Sequence, residues 1–156
     1  MAWHTILVPF DFSAGAERAL AIAHALAVRD HARLVLCHVI ELSPHFGPET
    51  TLILPEGTQT PVGMHQYAHM RASEDLRARI DRLGAAVPVT CEIREGAPAA
   101  ELLALVAELG ADLVVMGTHG RSGWRRVVAG SVAERIVRVC PVPVLTTRDP
   151  AEAPRT

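Results

Sequence analysis

At 156 residues the chain is sized for one domain rather than two. Hydrophobic residues make up 49% of it and aromatic ones only 4%, so its core must be built from Ala, Val, Leu and Ile. The formal charge of −2 comes without a basic block, which argues against a nucleic-acid partner.

The first strand is read at residues 5–8, a β-branched apolar run stopped by Pro9. Phe10, Asp11, Phe12 and Ser13 read as a turn, with Ser13 a candidate N-cap. Residues 14–29 place Ala16, Ala19, Leu20, Ala23 and Ala27 on one helical face. The second strand, residues 33–40, is continuously apolar at Leu34, Val35, Leu36 and Cys37. Continuous rather than alternating strands are buried on both faces, as in a parallel sheet. Residues 41–63 break the pattern with Pro44, Gly47, Pro48, Pro55, Gly57, Pro61 and Gly63, and read as a long loop of the kind used for lids. A helix over 64–83 ends at Gly84, and a third strand over 87–94 alternates as an edge strand does. Pro98 opens a third helix that Gly110 closes. A fourth strand at 112–116, a fourth helix at 131–139 and a fifth strand at 142–146 complete the series, followed by a polar tail at 148–156. Strands alternating with helices predict an α/β domain over residues 1–147, with a doubly wound parallel sheet and helices on both faces.

Cys37, Cys91 and Cys140 are odd in number, far apart and set in apolar runs, so they read as small hydrophobes of a reducing compartment. No apolar run is long enough for a bilayer and no secretory leader is read, so a cytoplasmic protein without a membrane partner is expected.

The chemistry concentrates in residues 117–131, GTHGRSGWRRVVAGS, between a buried strand and a helix start. There backbone N–H groups and the helix dipole can meet a phosphate. This is neither a Walker A loop, since the chain has no lysine, nor a G-x-G-x-x-G fingerprint. The spacing is G-x2-G-x9-G-S: Gly117, Gly120, Gly130, Ser131. Candidate donors are the N–H groups of Gly120, Gly130, Ser131 and Val132, with the Ser131 hydroxyl; His119 and Arg121 stand beside them. Ser131 to Glu134 also reads as a capping box, S-x-x-E, which would explain the serine by helix stability alone. Asp11, at the end of the first strand, either accepts from a ribose or base or caps the next helix. His65 and His69 have metal-ligand spacing but lack a nearby third ligand, so a solvated helix face is expected.

The G-x2-G-x9-G-S spacing, ILVPFDFS at 6–13, CHV at 37–39 and GTHGRSGWRRVVAGSVAERIVRVCPVPVL at 117–145 resemble the ATP-binding branch of the universal stress protein family. The resemblance spans essentially the whole chain. It implies strand order 3-2-1-4-5, a nucleoside half lined by Pro9, Asp11, Val39, Met116 and Gly117, and a phosphate half at His119, Gly120, Arg121, Gly130, Ser131 and Val132. It also implies ATP as ligand, with a Mg²⁺ shared by Asp11, Ser131 and the phosphates as an option. The expected role is a regulatory module in which ligand shifts conformation or partner interactions, with slow hydrolysis at most. The alternatives are a dimeric scaffold that uses no nucleotide, or a nucleotide- or flavin-dependent enzyme on the same superfold.

A homodimer is expected through the fifth strand, between Val142 and Thr146. Proline cannot donate to a ladder, and Pro141 and Pro143 share a parity. Their missing donors are expected on the outer edge, with Val142, Val144 and Thr146 bonding inward and Leu145 the usable outer position.

Overall fold

The computed structural model describes residues 2–41, 52–118 and 130–147. Its central strands alternate between two buried faces. On β1 (Thr5–Pro9), Ile6 and Val8 join one core cluster and Leu7 the other. On β2 (Arg33–Ile40), Leu34 and Leu36 side with the first, Val35 and Cys37 with the second. Two buried faces are what a continuous apolar run demands. Helix α1 (Ala14–Asp30) packs its alanine stripe on the first face, joined by Leu76 of α2 (Met64–Leu83). The second face takes α3 (Pro98–Leu109) and α4 (Ser131–Val139), through Leu102, Leu105, Val106, Ala133 and Ile136.

Between β2 and α2 the described part of the long stretch forms a small antiparallel pair, β3 (Leu52–Ile53) with β4 (Val62–Gly63), where the sequence predicts loop alone. Strands β5 (Val89–Glu95), β6 (Leu113–Gly117) and β7 (Val144–Thr147) complete one parallel five-stranded sheet in the order β5-β2-β1-β6-β7. With the hairpin set aside this is the expected 3-2-1-4-5 order. Among the described residues no helix is long and apolar enough to cross a membrane.

Two polar ties hold the amino-terminal edge of the sheet. Arg33 donates from Nε to Thr5 Oγ1 at 2.8 Å and from a terminal nitrogen to the Leu109 carbonyl at 2.7 Å, at the end of α3. Asp112 accepts from the His4 and Thr5 N–H groups at 2.8 and 3.0 Å. These bonds and His4 Nδ1 outweigh partial burial and hold its carboxyl below the usual carboxylate range.

The proline parity of the last strand is the reverse of the sequence expectation. The Pro143 carbonyl accepts from Val114 N–H at 3.0 Å and the Thr147 carbonyl from Thr118 N–H at 2.9 Å. Residues 143, 145 and 147 therefore face β6, and Val142, Val144 and Thr146 face outward. The missing proline donors lie on the inner side, which is why pairing begins only at Val144.

Candidate functional site: a cleft at the strand-order reversal

Strand β1 sits between β2 and β6, so the chain leaves β1 in one direction and returns on the other side. At such a switch point the loops beyond the strand carboxyl ends diverge and leave a crevice. Here it has a volume of about 810 Å³. Pro9 and Asp11 line it from the β1 end, Val39 from β2, Met116 and Gly117 from β6, and Gly130, Ser131 and Val132 from the start of α4. The structure thus brings together eight of the eleven sequence-predicted site residues. The other three, His119, Gly120 and Arg121, lie outside the described residues.

Asp11 accepts the Ser13 N–H on Oδ1 at 3.1 Å. Ser13 is the N-cap of α1, its Oγ accepting from the Ala16 N–H at 3.2 Å. The cap role therefore belongs to Ser13, and the half-buried Asp11 lines the cavity.

At the opposite end stands α4, and two expectations change there. Its N-cap is Gly130, in extended backbone at φ −58° and ψ 149°, so Ser131 is the first helical residue and the S-x-x-E capping box does not form. Glu134 instead accepts from Arg138 one turn on at 2.8 Å. Gly130 is also not a free donor, because its N–H is bonded to the Thr118 carbonyl at 2.7 Å. The first intrahelical bond is Glu134 N–H to Gly130 carbonyl at 2.9 Å. The N–H groups of Ser131, Val132 and Ala133 therefore point forward without a helical acceptor, and Gly130 has no side chain to cover them. All three residues line the cavity. An anion there would meet three donors and the positive end of the helix.

Gly117 is explained by packing. A Cβ on it would lie 2.9 Å from the backbone carbon of Gly15 in the first turn of α1, so the two glycines let β6 and α1 meet backbone to backbone. Thr147 Oγ1 donates to the Gly15 carbonyl at 3.2 Å and Thr118 Oγ1 to the Thr147 carbonyl at 3.1 Å, tying the same corner. The one cysteine in the cavity wall, Cys37, has its thiol pushed up to about 12 by burial, so it is no nucleophile near neutral pH.

Sequence reading missed the α2 wall of the cleft. Ala68, Arg71, Ala72, Asp75 and Arg79 line it. They recur at offsets 0, 3, 4, 7 and 11, one helical face, which was a legible signal. Also missed were Phe12, an aromatic at φ 64°, Pro98, read only as a helix start, and Leu102 of α3. His65 and His69 line a separate surface hollow with Glu95, and no group of three metal-ligating side chains occurs among the described residues.

Comparison with known proteins agrees with this architecture. The model of the universal stress protein family matches residues 2–148. Universal stress protein MJ0531 of Methanocaldococcus jannaschii is 31% identical over 147 residues, covering 93% of this chain and 82% of that protein. Among solved structures, universal stress protein UspA from Lactobacillus plantarum superposes with a TM-score of 0.76 at 23% identity, covering 95% of this chain and 99% of the other. A universal stress protein in complex with cAMP superposes with a TM-score of 0.67 at 25% identity, covering 95% and 98%. With a family match along nearly its whole length and the five-stranded order of that fold, this chain belongs to the universal stress protein family.

Proposed function

We propose that the cleft binds an adenine nucleotide, ATP, and that the protein is a stress-response regulatory module of the cytoplasm whose ligand shifts conformation or partner interactions. The observation that carries this reading is the pairing across one cavity of a carboxylate, Asp11, with an uncapped helix start at Ser131, Val132 and Ala133. A ribose offers hydroxyl donors to a carboxylate, and a phosphate offers acceptors to helix N–H groups. A nucleotide carries both, its ribose standing between the base and the phosphates. Val39, Met116 and Leu102 supply an apolar wall for a base. The relative solved with cAMP supports the ligand class. A Mg²⁺ carried in with the phosphates belongs to the same proposal: it keeps most of its waters and takes few protein oxygens, and Asp11 and the Ser131 hydroxyl are oxygens of the cleft lining that could serve. We also propose a homodimer through the outer edge of β7.

The test is calorimetric titration of ATP into the wild-type chain and into Gly130→Val. Gly130 has a φ any residue adopts, and a Cβ there lies 3.4 Å from the Thr118 carbonyl, so the fold should survive while branched carbons crowd the α4 donors. ATP affinity is expected to fall by about tenfold or more. Wild-type affinity in the folded variant removes the phosphate half from α4.

A further inference from the structure

We propose that Arg79, Phe12 and His38 form a stack that sets the position of Asp11, which makes helix α2 a working part of the nucleoside half of the cleft. The inference rests on the ligand reading above and adds residues that position Asp11.

Phe12 follows Asp11 and adopts φ 64°, the left-handed region that a bulky aromatic seldom occupies. That conformation curls the chain so that the Ser13 N–H reaches back to Asp11 Oδ1 at 3.1 Å. Three neighbours hold the ring in place. Phe10 meets it edge to face, centroids 5.3 Å apart at 88°. His38 lies 4.9 Å away, and its Nδ1 is 2.7 Å from the Phe10 carbonyl. A carbonyl only accepts, so Nδ1 carries the hydrogen and the imidazole plane is fixed against Phe12. The third neighbour comes from α2: the Arg79 guanidinium stands over the Phe12 ring, 5.4 Å from its centroid.

Arg79 is itself anchored. It donates from Nε to Glu17 Oε1 at 3.1 Å and from Nη1 to the Asp75 carbonyl at 3.2 Å. Glu17 lies in the first turn of α1, the helix that Ser13 caps. One cation thus grips the turn twice, through the Phe12 ring and through the helix that follows it. A leucine or methionine would fill the same space but would not orient the ring or reach Glu17. The stack couples any displacement of α2 to the Asp11 carboxylate.

The experiment compares wild type, Arg79→Met and Arg79→Lys, each first checked by thermal melting. In the ligand-free proteins, amide exchange at Ser13 reports the Asp11 contact directly. Arg79→Met should accelerate it about fivefold or more while amides of β1 and β2 keep their protection. In titrations, ATP and adenosine should both weaken by about tenfold, and inorganic tripolyphosphate should bind Arg79→Met as it binds wild type. Arg79→Lys keeps a cation over the ring and should recover part of both effects. Unchanged Ser13 exchange in Arg79→Met overturns the inference whatever the ligands do. So does wild-type adenosine affinity in that variant, or an equal loss of all three ligands, which marks a general loosening. A wild-type protein that binds neither ATP nor adenosine removes the nucleotide reading instead, and the exchange result alone then decides whether the stack holds Asp11.

Discussion

The Asp11 carboxylate commits Oδ1 to the Ser13 N–H, and the residue lines the cleft where the proposed ribose contact would be made. Asp11→Ala should therefore weaken adenosine and ATP alike, by about 1–3 kcal/mol for a lost charged acceptor. Stability should drop little, because Ser13 still caps α1. A calorimetric series showing unchanged binding and a lower melting temperature would move the ribose contact elsewhere. A different carboxylate, Asp30, contributes to acid stability. Asp30 accepts from Arg29 at 2.7 Å and from the Trp3 N–H at 3.1 Å, and these partners, Arg29 first, lower it from 3.8 to about 2. A carboxyl lowered in the folded state contributes stability above its unfolded pKa and loses it as pH falls through the folded value. Urea unfolding should thus lose part of its free energy between about pH 4 and pH 2, and Asp30→Asn should flatten that stretch. An identical slope in the variant assigns the loss to other groups. Asp11 was visible in the sequence as the carboxylate closing the first strand. Phe12 was not, because phenylalanine does not mark left-handed backbone, and Arg79 was one of fifteen arginines.

Strands and helices were legible because their burial is simple. Leu34, Val35, Leu36 and Cys37 are apolar without alternation, and each face of the sheet receives a helix layer. Pro98 at a first turn and Gly110 at a left-handed C-cap marked α3 at both ends. Helix α4 has the bounds read from the sequence, 131–139, but a different cap. S-x-x-E fits a capping box, but the N–H of Gly130 is drawn to the Thr118 carbonyl, which places the cap one residue earlier, a tertiary tie that local sequence does not encode. The result is a helix start whose donors no side chain caps among the described residues, and this yields an element-scale prediction. Gly130→Asp places an accepting, negative side chain at the N-cap, worth a few tenths of a kcal/mol over glycine plus a favourable dipole contact. The same carboxylate occupies the donors a phosphate would use. The variant should melt slightly higher than wild type and bind ATP at least about tenfold more weakly. Undiminished ATP affinity, read by calorimetry beside the melting curve, would show that the phosphates do not sit on α4.

The sheet as a whole ends in two unlike edges. On β5, Glu92 and Arg94 carry charge, and Arg94 is bound to Glu108 at 2.7 Å. Charged side chains on an edge strand discourage pairing with another chain. On β7 no such guard appears among the described residues; Val144 and Leu145 are half-buried, and Val137 and Val139 of neighbouring α4 are 56% and 50% exposed. Hydrogen-bond parity sharpens what this edge can do. Because Pro143, Leu145 and Thr147 face β6, the outward donors belong to Val142, Val144 and Thr146, and none of these is a proline. The outer edge is therefore complete, which sequence parity alone had reversed. A two-fold axis near Val144 would pair two such edges antiparallel and cover the α4 valines of both copies, an isologous contact of the kind symmetric dimers use. The parity also selects the decisive variant. Thr146→Pro removes an outward donor and leaves the bonds to β6 in place, so it should give a folded monomer. Leu145→Pro removes an inward donor and should lower stability through the sheet itself. Sedimentation over a concentration series, read beside thermal melting, separates the two. The expectation is a dimeric wild type and a monomeric Thr146→Pro with a near-native melt after allowance for lost association. A monomeric wild type, or an undisturbed dimer in Thr146→Pro, would remove the interface from β7.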